Sequence, residues 1–451
     1  MRDLAFLGFL AALFGMGFRR PFLLVCAYVY IDIVSPQRLT YYLLNTVPIS
    51  AIAIVLAVVA WAVTDDKRDV RIAPRQGLIL LLLIYCGITT MSADFPIEAK
   101  EKWDFVWKTL AFAAFLPLTL RTKLRIETLL LFMLLSASSI IIVGGIKTLA
   151  SGGGYGELNL MVSNNSGLYE GSIISAVAIC IVPLILWFAK HGTIFTPDWR
   201  VKLFCYALVF ACLLIPVGTS ARTGLICIAV LALVMLREVK RKVLYLSALA
   251  LVGAAAIPLL PSAFSERMGT IKTYQADTSA STRIEVWKWT WEYVQDHPFG
   301  GGFEMYRQNS IRYETTKVVP TATGTKIERA LVVDKARAFH SSYFEVLGEE
   351  GWPGFILWLT ISLTGILRME ILRRRYRHAQ GEDAWIAPLA SALGAAHLIY
   401  LVGGAFVGIA FQSFVYMLLG AQIGLDTYLA RKKSETGWRP MGIKRERLAL
   451  A

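Results

Sequence analysis

Apolar runs long enough to cross a membrane recur along this chain and constrain its fold more than any other feature. A helix needs about 20 mostly apolar residues to cross the hydrocarbon layer. Runs of this kind begin near residues 3, 21, 47, 77, 105, 128, 171, 203, 223 and 243, and again near 352, 385 and 405. The sequence therefore predicts an all-α integral membrane protein with twelve or thirteen spans. The first two runs are short and form either a tight hairpin or one broken element.

The charge content limits the function classes. Only 17% of the residues are charged and 56% are hydrophobic, whereas a soluble domain carries about 25% charged residues. The net charge is +14, and in a membrane protein such an excess reports topology rather than nucleic-acid binding. The six cysteines lie within or beside apolar runs, and no Cys or His cluster has zinc-site spacing. We therefore expect buried thiols, no structural metal and no nucleic-acid partner.

Basic residues divide the loops into two sets, and this division predicts the orientation of the chain. One set, together with the C-terminal tail, carries 28 Lys and Arg residues, whereas the short loops of the other set carry five. Because positive loops stay in the cytoplasm, the second set faces the periplasm of a Gram-negative inner membrane. The predicted organisation is an N-terminal transmembrane bundle over 1–261, a periplasmic loop domain over 262–340, C-terminal transmembrane helices over 341–430 and a basic cytoplasmic tail over 431–451.

The outer segment 262–340 concentrates the polar chemistry of the chain. Apolar residues recur in it at the spacing of a helical face, namely Ile284, Trp287, Trp291 and Val294. The sequence His-Pro-Phe-Gly-Gly-Gly at 297–302 is expected to end that helix. We therefore predict a large, partly helical loop, in which the glycines form a plain turn or allow a close backbone approach.

Three residues at the outer surface have side chains suited to an anionic substrate. Arg283 opens the predicted helix, where a positive charge opposes the helix dipole, and its guanidinium can bind a phosphate in bidentate fashion. Arg222 lies in a short outer turn, although such a charge can also extend to lipid headgroups. His340 lies where the loop re-enters the membrane and can act as a general base, although a single histidine is more often structural.

Two further residues are additional candidates. Asp32 lies near the outer end of the second apolar run, where an ionisable group is functional by default. Arg267 follows Glu266, so it also fits a solvated or salt-bridged surface group. The outer loops contain no Asp-x-Asp sequence, and we therefore expect a site that uses neither a metal ion nor a cofactor.

Taken together, these residues resemble the O-antigen ligase and polymerase superfamily of bacterial integral-membrane glycosyltransferases. The resemblance rests on Ser-Ala-Arg-Thr-Gly at 220–224, Arg283 with Trp287 four residues later, the turn at 297–302, and His340-Ser341 followed after nine residues by Gly351-Trp352-Pro353-Gly354. The last pattern is similar to the ligase signature, whereas Trp287 stands where the ligase pattern has Leu. The opening of the chain is also similar to a subgroup described as O-glycosylation ligases.

The resemblance implies a GT-C-like fold of about twelve helices and a transferase of lipopolysaccharide biosynthesis. The donor would be a glycan on undecaprenyl diphosphate, and for the ligases the acceptor is the lipid A–core oligosaccharide. Family roles would make His340 the catalytic residue, and Arg222 and Arg283 the diphosphate-binding residues, with Arg267 as an addition. Membrane lipids are the remaining expected partners.

Other functions remain open at this point. Further members of the superfamily use the same donor with a protein or a growing glycan as acceptor. A lipid-linked sugar transporter would also need many spans and arginines, but transporters usually contain internal repeats and intramembrane charge. Such a repeat is not evident, and the polar candidates gather on one outer side, which favours an enzyme.

Overall fold

The computed structural model describes residues 1–67, 70, 72–162, 167–237, 241–244, 247, 251, 278–321 and 324–437. Most of these residues are helical. The helices are α1 (Arg2–Arg19), α2 (Phe22–Val34), α3 (Pro36–Leu39), α4 (Ile49–Thr64), α5 (Pro74–Met91), α6 (Pro96–Thr119), α7 (Lys123–Ser151), α8 (Gly171–His191), α9 (Trp199–Gly218), α10 (Arg222–Leu236), α11 (Thr278–Asp296), α12 (Ser342–Arg375), α13 (Ile386–Gly404) and α14 (Ser413–Gly437).

Six helices within the described ranges are long and apolar enough to cross a membrane. They are Pro74–Met91, Lys123–Ser151, Gly171–His191, Trp199–Gly218, Ser342–Arg375 and Gly381–Gly404. Three shorter apolar helices are α2, α4 and α10. These helices agree with a helical membrane protein, whereas the count of about twelve spans and the GT-C-like arrangement stay predictions. The run that begins near residue 243 lies mostly outside the described residues.

The first two apolar runs form a tight helical hairpin. The chain turns at Arg20 and Pro21, between α1 and α2. The rings of Phe9 and Tyr30 then pack side by side, with their centroids 4.7 Å apart. Phe9 and Tyr30 lie at similar distances on the two sides of the turn, and their contact requires two antiparallel helices. The alternative of one broken element is therefore wrong.

One hydrophobic core joins helices from the two halves of the sequence. Nearly all side chains of α8 are buried, and α8 packs against α9, α10 and α13. Helix α14 packs closely on α6 at Gly420. A Cβ at that position would lie 2.7 Å from the side chain of Leu116, so a larger residue there would require Leu116 to move. All six cysteines are buried, as predicted. The predicted domain boundaries stay predictions.

Ion pairs gather several of the predicted cytoplasmic loops at one end of the bundle, which we call the basic end. Arg125 pairs with Asp65 at 2.5 Å. Arg75 and Arg368 both pair with Asp426, at 3.0 and 2.8 Å. The opposite end of the bundle carries the sequence around residue 340 and is called the outer end. The assignment of these ends to cytoplasm and periplasm stays a prediction.

The long outer segment contains an antiparallel β-hairpin that the sequence reading did not predict. Strands β1 (Ser310–Thr321) and β2 (Gly324–Lys335) pair from Ser310 opposite Lys335 to Thr321 opposite Gly324. Both strands are rich in Thr and Val, residues that favour strands. The described elements are otherwise helical, so the all-α class holds with this one hairpin added.

Candidate functional site

Helix α11 forms one wall of the site, and the predicted helix and its end at Asp296 are confirmed. The apolar face of this helix does not coincide with its buried face, because Ile284 and Trp291 are 40% and 51% exposed. The buried residues are instead Thr282, Val286, Thr290 and Val294. Thr290 can be buried because its hydroxyl donates to the carbonyl of Val286 at 2.8 Å. Arg283 lies directly beside this buried face, near the start of the helix.

His340 lies between α11 and α12, and hydrogen bonds hold the chain on both sides of it. The indole Nε1 of Trp287 donates to the carbonyl of Phe339 at 2.8 Å. Two residues after His340, the hydroxyl of Ser342 donates to the carbonyl of Val407 at 2.9 Å. His340 itself has a φ of 49°, a left-handed conformation that costs a non-glycine residue roughly 1–2 kcal/mol. The surrounding contacts therefore fix a strained backbone, as is common at functional sites.

The electrostatic surroundings keep the imidazole of His340 neutral. Packing around the ring lowers its pKa, and the guanidiniums of Arg283 and Arg337 lower it further, to about 4. The residue as a whole is still exposed, so a substrate can reach it. At neutral pH the ring therefore has one nitrogen that can accept a proton. Both guanidiniums are close enough to the ring to act on it electrostatically.

Arg337 belongs to this arrangement although the sequence reading did not select it. Its guanidinium pairs with Asp334 at 2.7 Å and donates to the hydroxyl of Thr282 at 3.4 Å. Its backbone N–H donates to Asn309 Oδ1 at 2.9 Å, and Asn309 Nδ2 donates back to its carbonyl at 2.7 Å. The one sequence signal was its position three residues before His340.

Arg222 lies at the same end of the bundle, at the start of α10. The preceding turn is tight, because Ser220 has a φ of 51°. One and a half turns after Arg222, the thiol of Cys227 lies 3.8 Å from the carbonyl of Ile399, near the outer end of α13. A Cβ at Gly403 of α13 would meet Cys227, and one at Gly404 would meet Ser342, so α10 begins at the bundle end that holds Ser342. The structure thus brings His340, Arg283 and Arg337 together and places Arg222 at the same end.

Of the two additional candidates, the structure describes only Asp32, which does not join this group. Asp32 lines a separate cavity of about 430 Å³ between α2, α6 and the start of α14, together with Glu101 and Asp104. Arg267 lies outside the described residues. Its role in diphosphate binding stays a prediction.

The glycines of the signature serve backbone packing. Gly351 has a φ of 61° and interrupts the helical geometry of α12. The turn at 297–302 docks on this kink, because Trp352 N donates to the carbonyl of Pro298 at 2.9 Å and Gly301 N donates to the carbonyl of Gly348 at 3.0 Å. Gly300 also has a positive φ, of 79°, and a Cβ there would lie 2.5 Å from the carbonyl oxygen of Glu349. The close-approach alternative therefore applies, with α12 as the partner.

A buried ion-pair cluster fixes α12 against α6 just behind His340. Lys102 Nζ lies 2.8 Å from a carboxylate oxygen of Glu345 and 2.8 Å from both oxygens of Glu349. The Glu349 side chain is fully buried, and it also accepts the backbone N–H of Glu304 at 3.0 Å. Sequence reasoning missed this cluster. Its only signal was a pair of acids four residues apart at the start of an apolar helix.

A cavity of about 770 Å³ opens beside the cluster, between α6, the end of α13 and the loop around Tyr306. Its ionisable lining residues are Arg38, Glu98, Glu101, Lys102, Glu304, Tyr306, Arg307 and Glu345. Burial, with a contribution from Glu304, raises the pKa of Tyr306 to about 12, so its hydroxyl stays neutral and can donate. The ring of Tyr306 lies 5.6 Å from that of Phe339, which places the cavity next to the backbone of His340.

Among the residues that the structure describes, no group of three or more His, Cys, Asp and Glu side chains is arranged to hold a metal ion. The basic side chains around His340 are themselves suited to an anion, because guanidiniums bind phosphate oxygens in bidentate fashion.

Two family models match the chain. One, a family of unknown function (DUF5935), matches residues 1–193. The other, described as O-antigen ligase, matches residues 206–359, a range that includes Arg222, Arg283, Arg337 and His340. A search of curated proteins found no match. The resemblance to the O-antigen ligase superfamily is therefore confirmed, and residues 206–359 carry it.

Proposed function

We propose that this protein moves a glycan from undecaprenyl diphosphate to an acceptor hydroxyl at the periplasmic face of the inner membrane, as an O-antigen ligase. The family match supports a ligase- or polymerase-type glycosyltransferase in general. The observation that carries the finer proposal is the neutral imidazole of His340 beside the guanidiniums of Arg283 and Arg337. A proton acceptor and an anion-binding surface are the two parts that this transfer needs.

In the proposed reaction, His340 takes the proton of the acceptor hydroxyl while its oxygen forms a bond to the anomeric carbon of the glycan. The bond from that carbon to the phosphate oxygen breaks, and its electron pair leaves with undecaprenyl diphosphate. Arg283 and Arg337 lie where they can neutralise the developing negative charge. A general base typically contributes 10²–10⁴-fold in rate, and one electrostatic stabiliser contributes about 3 kcal/mol.

Arg222 is proposed as a further contact to the diphosphate, as in the family. It starts α10 at the outer end of the bundle, the end at which His340 also lies. The apolar helices below would hold the polyprenyl chain. Because the arginines supply the positive charge, the proposal needs no metal ion at the diphosphate.

The 770 Å³ cavity is proposed as the acceptor side of the site. Arg307 in its wall is already paired with Glu304 at 3.1 Å, and Lys102 is paired with Glu345 and Glu349. Four of its described lining residues are Glu and three are Lys or Arg. This excess of negative charge disfavours a diphosphate, whereas carboxylates can accept hydrogen bonds from sugar hydroxyls. Lipid A–core is the proposed acceptor, and a protein or a growing glycan is the alternative.

The test uses purified full-length protein with an undecaprenyl-diphosphate glycan and offers lipid A–core, protein and glycan acceptors in parallel. His340→Ala should abolish transfer to whichever acceptor is used, at unchanged thermal stability. His297→Ala is the matched control, because His297 is also exposed at the outer end and stacks on Tyr293. Near wild-type transfer by His340→Ala, at equal protein concentration, would show that His340 is not the base.

A further inference from the structure

A second cavity lies at the basic end of the bundle, far from His340. It measures about 570 Å³ and lies between the C-terminal ends of α8, α10 and α12 and the N-terminal part of α13. The proposed glycosyl transfer does not use it. Its chemistry differs from that of the outer cavities, because its charged lining residues are basic.

The basic charge in this cavity exceeds the acidic charge of the described residues around it. Lys190, Arg237, Arg373 and Arg377 line it, and none of the described lining residues is Asp or Glu. Glu370, which lies outside the lining, pairs with Arg237 at 3.2 Å and with Arg373 at 2.8 Å. One carboxylate therefore pairs with two of the four basic residues that line the cavity.

Helix dipoles account for only part of this charge. Basic residues stabilise helix C-termini, and three helices end here, with about half a negative charge each. Together with the carboxylate of Glu370, the three ends offset between two and three of the four positive charges, so an excess remains. Lys190 and Arg377 are both exposed, which leaves their charged groups open to an anion.

The deeper part of the cavity is apolar. On α8 the lining residues Pro183, Leu186, Trp187 and Lys190 share one helical face, and the first and last are about 10 Å apart along the axis at 1.5 Å per residue. On α13 the lining extends from Ala387 to Ala395 and consists mainly of alanines. The cavity therefore combines a basic rim with an apolar wall, which runs into the bundle for about two helical turns.

We propose that this cavity binds the phosphate headgroup of an anionic phospholipid, such as phosphatidylglycerol. The phosphate binds the rim cations, and the glycerol with the first acyl carbons lies along the faces of α8 and α13. A free phosphate would use the rim but gain nothing from the apolar wall. The lipid is therefore the better ligand, because the two halves of the cavity match its two halves.

The test uses full-length protein delipidated in a neutral detergent, with bound lipid counted by native mass spectrometry. The probes are dioleoylphosphatidylglycerol, dioleoylphosphatidylcholine and inorganic phosphate. The variant is Lys190→Gln with Arg377→Gln. The control is Arg20→Gln with Lys202→Gln, which removes two exposed basic residues of the predicted cytoplasmic loops outside the cavity.

The wild type should bind phosphatidylglycerol in preference to phosphatidylcholine. Each removed cation should weaken this binding about five-fold, or about twenty-five-fold together, and the control should change it less than two-fold. Ala392→Leu fills the apolar wall below the rim, because Ala392 lies five residues farther into the bundle than Ala387, the first lining residue of α13. It should weaken lipid binding without changing phosphate binding. Equal losses in variant and control would overturn the proposal, and so would equal binding of the two lipids. If inorganic phosphate raised the unfolding temperature as much as the lipid does, the cavity would be a site for soluble anions, and the proposal would be wrong.

Discussion

Replacement of Lys102 by Met should strongly destabilise the outer end of the protein. Lys102 Nζ contacts Glu345 and both carboxylate oxygens of Glu349 at 2.8 Å. The Glu349 side chain has no exposed surface, and that of Glu345 is 11% exposed. The substitution keeps the aliphatic volume of lysine but leaves two acids without their cation. Removal of one partner from a buried ion pair typically costs about 3–5 kcal/mol.

The assay is thermal unfolding of the detergent-solubilised protein at pH 5 and pH 8. Acidification supplies the proton that neutralises an orphaned carboxyl, so Lys102→Met should lose less stability at pH 5 than at pH 8. Adding Glu349→Gln to Lys102→Met should recover part of the loss, because it removes the buried charge. Lys100→Met is the control, since Lys100 lies two residues earlier in α6 and is exposed. Equal unfolding midpoints for Lys102→Met and Lys100→Met would refute this account of the cluster.

Two further predictions concern the donor and the signature. Arg283→Lys keeps the charge but loses the bidentate fork, so it should bind undecaprenyl diphosphate more weakly than wild type but better than Arg283→Ala. Arg283→Ala should lose about a hundredfold in transfer rate. Unchanged binding of undecaprenyl diphosphate by both variants would contradict this prediction. Gly351→Ala should lower the unfolding midpoint much more than Gly381→Ala. Both glycines have a φ near 60°, but a Cβ at Gly351 would clash with the carbonyl oxygen of Pro298, whereas a Cβ at Gly381 has no atom within 4 Å. Equal midpoints would show that backbone docking at the kink contributes little.

Local patterns in the sequence were sufficient to predict individual elements of the site. The helix over α11 and the turn after it follow from apolar spacing and from the breakers at 297–302. The buried face of that helix does not follow from apolar spacing, because Thr282 and Thr290 are polar in composition yet buried in the fold. A threonine hydroxyl can bond to its own helix backbone, so a hydrophobicity pattern misjudges its burial.

Contacts between distant segments could not be read from the sequence in the same way. Lys102 and Glu349 are almost 250 residues apart, and nothing local marks either as the partner of the other. The β-hairpin was missed because its strands lie in a charged loop where the helical signal of α11 dominated. Arg337 was missed because its role depends on Asn309 and Asp334, which orient it toward His340.

If Arg283 and Arg337 bind the donor diphosphate as proposed, donor binding should strengthen His340 as a base. In the free protein, burial and the two guanidiniums hold the pKa of His340 at about 4, where the imidazole is neutral but weakly basic. A bound diphosphate would neutralise Arg283 and Arg337, so the pKa would rise toward its usual value near 6.5 and the base would strengthen when the donor is present. Because transfer needs the neutral ring, activity falls as pH drops through the pKa of the relevant state. The acid limb of kcat/KM for the donor, which reports the free enzyme, should therefore lie at lower pH than that of kcat. Arg337→Gln should shift the acid limb of kcat/KM to higher pH, toward that of kcat. If the two acid limbs coincide and Arg337→Gln shifts neither, the arginines do not control the base.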